Sequence, residues 1–585
     1  MTWEKARSGR DRQMYQDWLE NDPDPRDREA LQHLIDTDTP VAKAELAAAF
    51  ESEIAFGTAG LRGEMGPGPA RMNTAVIRRA TWGLAAALRA AVGNDFLVVI
   101  GFDARHRSAD FAHTTAGVIT AAGGKALLMP HICPTPLLAY AMGQYHADAG
   151  VMVTASHNPA KDNGYKVYLG GRVVTGSGCR AQLVSPWDSR IFAQIQAAPP
   201  ARDVPCAESG WGFIDEDLFT RYIQRTASLV SADSPRDLRL VLTSMHGVGA
   251  DVCEAVLAQA GFSEVFPVAP QREPDPDFPT IPFPNPEEAG ALDMAMALAR
   301  EKHADLIVAN DPDADRCAAA IPDPDSPGGW RQLSGDETGV LLGYYQCQGR
   351  RGLSATVARS LVSGELLDRV AAAAGVTPMV SLTGFKWIAR TPGLIFGYEE
   401  AIGNCCDPDS VRDKDGISAT VKLCEIAAML KAQGRTIDDK LNELYLAHGL
   451  YVTTPLTFRV ADVGLISEGM RRLRARGLTD FGGEPIVFSH DLSTNSMPDE
   501  MHTSVPSGWD YLRELPPTDA LFFGTASGSR VVVRPSGTEP KLKCYLQVVI
   551  PEVTTQTLVT AKAQARQRLA AIKTDLSEVL GFDAP

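Results

Sequence analysis

The stretch 150–168, GVMVTASHNPAKDNGYKVY, is dense in groups that could do chemistry. An apolar run, 151–153, leads into a loop that presents Ser156. His157 stands beside the serine, and a proline at 159 prevents a helix from starting at once. Lys166 follows on the way into a second short strand. A hydroxyl at the end of a buried strand, with an imidazole beside it and an ammonium close by, suits phosphoryl or acyl transfer. A Ser-His dipeptide alone is more often a solvated loop, because short motifs recur by chance.

A second concentration follows the apolar run 304–310. The segment DPDADR places Asp311, Asp313 and Asp315 at alternate positions, with Arg316 next. Carboxylates this close repel one another unless a cation lies between them. All-oxygen ligands suit Mg2+ or Ca2+ rather than Zn2+. A calcium EF-hand needs glycine at the sixth loop position and glutamate at the twelfth. Counted from Asp311, those positions hold Arg316 and Pro322, so that motif fails. A phosphatase with Asp311 as nucleophile stays open on the residues alone. The DPD copies at 23–25, 275–277, 323–325 and 407–409 read as solvated turns.

Two further clusters carry charge. Arg530, Arg534, Lys541 and Lys543 crowd the segment around SGTEP, where Ser536, Gly537 and Thr538 offer hydroxyls and backbone amides. Arginine beside such a turn can clamp a phosphate, although a solvated hairpin has the same composition. Glu399 and Glu400 follow an apolar run, 394–396. Paired carboxylates can do acid–base work, accept hydrogen bonds from sugar hydroxyls, or simply start a helix. The glycine-rich stretch 56–72 carries Arg62 and Arg71, and its glycines would let backbone amides approach an anion.

The elements that must position these groups follow a βαβ rhythm. Helices are expected at 81–92 and 111–122 and strands at 96–103 and 125–129, which argues for a parallel or mixed sheet with helices on both sides. Residues 1–50 read as an acidic helical lead-in, and 171–235 as a long connection that turns helical near 215–229. A strand and glycine turn open a second unit at 238. A third starts near 336 and contains TGFKWI, GYEEAIG and RDKDGI, the last opening a helix. After 450 come a strand at 456–460, a basic helix at 465–476, two strands around SGTEP, and a closing helix with an apolar stripe. The chain has 585 residues. At about 100–200 residues per domain, that length suggests three to five domains. A net charge of −16 argues against a general nucleic-acid or anionic-membrane surface. Neither a signal core nor a run long enough to span a bilayer is evident. Ten scattered cysteines without zinc spacing read as reduced thiols of a cytoplasmic protein.

Together, TASHNP, DPDADR, GYEEAIG and RPSGTEPK resemble the α-D-phosphohexomutase superfamily in order and separation. The likeness is to its larger branch of phosphoglucomutases, phosphomannomutases and phosphopentomutases. The resemblance spans about 56–545. It implies an α/β protein: three related mixed-sheet domains and a smaller α+β C-terminal domain around a central cleft. The expected domains are 1–230, 231–335, 336–450 and 451–585, each giving one loop to the cleft.

The resemblance also implies a mechanism. Ser156 would be phosphorylated, and one Mg2+ per chain would sit on Asp311, Asp313, Asp315 and a phosphoserine oxygen. Arg62 and Arg316 would lie near the transferred group. Lys166 and Lys386 would be general acid and base, with His157 a weaker candidate. Glu399 and Glu400 would read sugar hydroxyls. Arg534, Ser536, Gly537, Thr538 and Lys543 would hold the other phosphate. A sugar bisphosphate would act as activator, and the protein would be a monomer or small homo-oligomer. Ala401 stands where many glucose-specific relatives have serine, and Tyr398 where glycine is common in other branches, which leaves glucose, mannose and pentose phosphates open. A bisphosphate synthase and a non-catalytic phosphosugar-binding protein are the other readings.

Overall fold

Strand Ala149–Val153 is buried along its whole length: Ala149, Val151 and Val153 enter the core on one face, and Met152 is buried on the other. In this computed structural model, which describes residues 3–37, 39–58, 60–350, 354–460, 463–494, 508–536 and 541–582, that strand lies inside a six-stranded mixed sheet. The order is Leu61–Glu64, Asp162–Leu169, Ala149–Val153, Leu97–Phe102, Lys125–Leu128, Gly212–Phe213. Leu97–Phe102 pairs in parallel with both neighbours, while Asp162–Leu169 runs back antiparallel to Ala149–Val153. The residues carrying Ser156 are thus the link of an antiparallel pair. Gly60, at φ 76°, lets Leu61–Glu64 join that pair: a Cβ there would stand 1.9 Å from the Tyr165 carbonyl oxygen.

Helix Thr74–Val92 begins seven residues before the expected start, because Asn73 caps it by accepting the Val76 amide at 2.9 Å. The connection 171–235 holds a further helix, Trp187–Gln196, besides the expected Asp217–Ala227.

A second, five-stranded sheet has the order Trp330–Gln332, Ala318–Pro322, Leu306–Ala309, Arg239–Thr243, Glu264–Pro267. The aspartate loop is the turn between its buried strands Leu306–Ala309 and Ala318–Pro322. These two sheets, the N-terminal helices and residues 403–429 form one compact unit. The three lead-in helices are Trp3–Asn21, Pro25–Asp36 and Pro40–Phe50. The second is tied down by Arg107, whose guanidinium reaches Asp27 at 2.6 and 2.8 Å and the N-cap Asp24 at 2.8 Å.

The other compact unit comprises 333–402 and 430–585. It has parallel strands Thr377–Ser381, Thr356–Ser360 and Leu394–Glu399, and an antiparallel six-stranded sheet. That sheet runs Leu450–Arg459, Lys541–Ile550, Arg530–Pro535, Leu521–Thr525, Glu484–Asp491, Asp480–Phe481. Closing helix Leu558–Leu580 buries Leu558, Ala561, Ala565, Leu569, Ile572 and Leu576, the expected stripe. Among the described residues all ten cysteines are free thiols, and no helix is long and apolar enough to cross a membrane.

Candidate active site

In the first unit the serine and the aspartates meet. Ser156 is buried and sits at φ 53°, a left-handed conformation that non-glycine residues rarely hold without a reason. Its amide donates to Thr154 Oγ1 at 2.9 Å, and its hydroxyl donates to Asp311 Oδ2 at 2.8 Å. His157 Nδ1 lies 3.2 Å from the same hydroxyl, and its ring meets Phe283 edge-on. Burial, reinforced by Arg316 and Arg62, lowers the imidazole well below its ordinary pKa, so the ring is neutral. Arg62 reaches across to Asn158 Oδ1 at 3.4 Å.

Asp311, Asp313 and Asp315 each turn one ligand oxygen inward, and these atoms lie within 4.8 Å of one another. All three are buried. Asp313 Oδ1 and Asp315 Oδ1 accept no hydrogen bond, which is costly for a buried carboxylate. Burial, then Asp313 and Asp315, push Asp311 well above the usual carboxylate range. Burial acts on Asp315 in the same direction, but Lys166, Lys414 and Arg316 outweigh it and hold it well below. A divalent cation on the three inward oxygens would satisfy the two orphan atoms and relieve the charge on Asp311, so the donor set fits a hard metal ion.

Lys166 departs from expectation. A lysine in a closed cleft could be pushed toward neutrality. Here burial does act in that direction, but Asp313 at 2.7 Å and Asp315 at 2.9 Å overcome it and raise its pKa above the ordinary value. The two aspartates thus hold Lys166 as a cation in this structure. Arg316 lies 3.9 Å from both Asp311 and Asp315.

Sequence reasoning missed two groups here. Lys414 Nζ stands 3.4 Å from Asp315 Oδ2. Its segment, RDKDGI, reads from sequence only as the opening of a helix. Asp415 caps helix Gly416–Ala432 by accepting the Ile417 and Ser418 amides at 3.0 Å each, and the Gly416 amide donates to the Ala314 carbonyl at 3.1 Å. The helix start therefore props the aspartate loop. The second omission is Arg105, in the turn after strand Leu97–Phe102; its guanidinium contacts the Ser156 loop.

In the second unit the glutamates end a strand, Leu394–Glu399, and no helix starts there. Glu399 is buried. Glu400 Oε2 accepts the hydroxyls of Ser360 at 3.1 Å and Ser363 at 2.9 Å. Burial, with Glu399 and Asp336 adding their charge, pushes the Glu400 carboxyl up to about 7. Tyr398 lies on the opposite face: it is fully buried, and its hydroxyl donates to Gly364 O at 2.8 Å and Asp336 Oδ1 at 3.0 Å. It belongs to the core and not to a hydroxyl-reading loop. Lys386 lies, half-buried, on the single helical turn Phe385–Ile388.

Arg534 and Lys543 face each other across strands Arg530–Pro535 and Lys541–Ile550. Like charges directly opposite destabilise a sheet, which makes this pair a ready anion site. Ser536 follows, its amide bonded to the Lys541 carbonyl; Gly537 and Thr538 lie outside the described residues. Arg530 does not belong to the cluster. It is buried, donates to the Leu361 carbonyl at 2.8 Å and pairs with Glu365 at 3.3 Å, so it holds the fold together.

Four family models match the chain in order. They describe phosphoglucomutase/phosphomannomutase α/β/α domain I over 53–177, domain II over 218–325, domain III over 334–447 and the C-terminal domain over 499–565. The chain belongs to the phosphoglucomutase/phosphomannomutase family. A probable phosphomannomutase of Haemophilus influenzae is 42% identical, with 81% of this chain and 92% of the relative aligned. A phosphopentomutase of Mus musculus is 34% identical over 91% of this chain and 89% of its own. The solved structure of a putative phosphomannomutase from Thermus thermophilus superposes with a TM-score of 0.64 at 22% identity, covering 89% of this chain and 99% of that one, and so shares the fold. The family is one of phosphosugar mutases, intramolecular phosphotransferases that depend on a metal, and the acidic triad could hold that metal.

Proposed function

We propose that the protein interconverts 1-phospho and 6-phospho hexoses, glucose or mannose, through a phosphoserine at Ser156 and a sugar bisphosphate. The observation that carries this is the Ser156 hydroxyl bonded to Asp311 of a buried aspartate triad. A cytoplasmic location and a monomeric or small homo-oligomeric state accompany this reading.

In the first transfer, the bond between phosphorus and Ser156 Oγ breaks as one forms to the free sugar hydroxyl, whose proton leaves to a base while Ser156 Oγ takes one up. In the second, Ser156 Oγ attacks the other phosphate, and its proton passes away while the sugar oxygen regains one. Arg62 and Arg316 neutralise the phosphoryl group in flight. Lys166 keeps the aspartates in place and supplies fixed positive charge. Lys386 serves the sugar's proton. His157, neutral and 3.2 Å from the hydroxyl, fits as acceptor of the serine proton. Mg2+ held by Asp311, Asp313 and Asp315 would offset charge on the transferred phosphoryl group. Glu399 and Glu400 read sugar hydroxyls, and Arg534, Ser536, Gly537, Thr538 and Lys543 grip the phosphate that does not react.

A turnover panel of glucose 1-phosphate, mannose 1-phosphate and ribose 1-phosphate, with Mg2+ and a bisphosphate activator, tests the assignment. A hexose phosphate should turn over fastest, mass mapping should find phosphate on Ser156, and Ser156→Ala should lose activity while staying folded. Retained isomerisation in Ser156→Ala removes that residue from the role. The similarity to a phosphopentomutase over 91% of this chain supports a second reading, a pentose 1-/5-phosphate mutase, which predominant turnover of ribose 1-phosphate would favour.

A further inference from the structure

The loop from Ser156 to Asp162 turns its carbonyls inward, and one side chain collects them. Arg105 Nη2 donates to the carbonyls of Ser156 at 2.6 Å and Asn158 at 2.5 Å. Its Nη1 donates to those of Pro159 at 2.8 Å and Asp162 at 3.1 Å. The side chain is 1% exposed, and its guanidinium lies 4.9 Å from the centre of the Phe278 ring. Nε faces Asp103 Oδ2 at 3.4 Å. Asp103 is in turn fixed by the Ser108 hydroxyl at 2.6 Å and the Arg105 amide at 3.0 Å.

We propose that Arg105, held by Asp103, is the positioning residue that sets the reactive conformation of Ser156; its kinetic consequence rests on the phosphoserine reading above. Ser156 occupies a left-handed conformation that its own backbone does not favour. A conformation of that kind persists only where its surroundings over-determine it. Four carbonyls converge on a single guanidinium, whose rigid fork offers five donors. A lysine ammonium, a compact point of charge with three donors, cannot span them. Arg105 thereby fixes the peptide that aims the serine hydroxyl at Asp311, without itself entering the triad.

The test compares Arg105→Lys and Arg105→Ala with the unchanged protein. Turnover is scored per phosphorylated serine, so a smaller folded fraction does not count. A misplacement of about 1 Å at a reacting group costs about 100-fold in rate. The expected result is a fall in kcat of about that size in Arg105→Ala and a smaller fall in Arg105→Lys. KM should hold within about two-fold, because Arg105 bonds only to the loop and Asp103. Added guanidinium ion should restore part of the rate in Arg105→Ala, which general destabilisation would not allow. Amide hydrogen exchange over 154–164 should quicken in both variants, a readout independent of any turnover. Unchanged exchange there, or an unchanged kcat per phosphorylated serine in Arg105→Lys, overturns the inference. If Arg105→Ala does not fold, Arg105→Lys decides it. An unchanged protein without mutase activity refutes the functional reading, and the exchange data still judge the loop.

Discussion

Gly416→Ala is a one-methyl perturbation whose sign separates two accounts of the aspartate loop. Gly416 is the first residue of helix Gly416–Ala432, where alanine by intrinsic preference should stabilise by up to about 1 kcal/mol. The packing says the opposite. A Cβ at 416 would lie 2.2 Å from the Arg316 carbonyl oxygen, 2.6 Å from its carbon and 2.8 Å from the Ala314 carbonyl oxygen. These atoms are backbone and cannot swing aside, so the loop or the helix start must retreat by about 1 Å to regain ordinary contact distances. Overpacking of this kind costs about 1–3 kcal/mol, which outweighs the helical gain. The retreat would carry the 314–316 backbone away from Asp311 and Asp313. A displacement of about 1 Å at a reacting centre costs about 100-fold in rate. The assays are apparent melting temperature, metal affinity by titration, and kcat. Gly416→Ala should melt lower, bind Mg2+ more weakly and turn over about 100-fold more slowly. A variant that melts higher and keeps its rate refutes the claim that this helix start holds the aspartate loop.

The Glu400 carboxyl sits at about 7 in the folded chain against an ordinary 4.5, so the folded state binds its proton more tightly. Its contribution to stability is complete below pH 4.5 and is lost as pH rises through 7. Melting scans across that range should slope downward in the unchanged protein and less so in Glu400→Gln. Arg534→Ala and Lys543→Ala should each raise KM by about 10- to 100-fold, the worth of a charged hydrogen bond of about 1.5–3 kcal/mol. Lys543→Ala should not lower the melting point through lost charge pairing, because its cross-strand neighbour is also cationic. Arg107→Ala leaves buried Asp27 without its guanidinium, while Asp24 keeps that of Arg26, and should cost about 3 kcal/mol in denaturant unfolding. Preserved stability would detach the second lead-in helix from that anchor.

The chemistry of the first unit was legible where several special groups fall within a few residues. Three alternating aspartates directly after an apolar run repel one another unless a cation lies between them, and the structure buries all three around a common centre. Ser156 was legible because a strand, a turn and a proline bracket it. Arg105 was not: a lone arginine in a turn has no period and no partner in sequence, and its four acceptors are carbonyls more than fifty residues away. Lys414 was hidden for the same reason, since nothing in RDKDGI points to a carboxylate at 315. Arg530 failed in the other direction. Counting cations near a glycine turn groups it with Arg534, and strand alternation puts both on one face, yet at 530 that face is buried and the guanidinium pairs with Glu365. Tyr398 and Glu399 obey the same alternation, which composition alone could not assign to a face.

The chain returns to the first unit at 403, after leaving it at 332, and departs again at 429. During synthesis, then, the ribosome must deliver more than four hundred residues before the aspartate turn receives Lys414 and the Gly416 helix behind it. A nascent protein halted at residue 332 would already carry the nucleophile and all three carboxylates, yet with their backing missing. Competence therefore arrives late on the production line, and no single cut upstream of Lys414 can liberate an N-terminal fragment in which the aspartate turn keeps its backing.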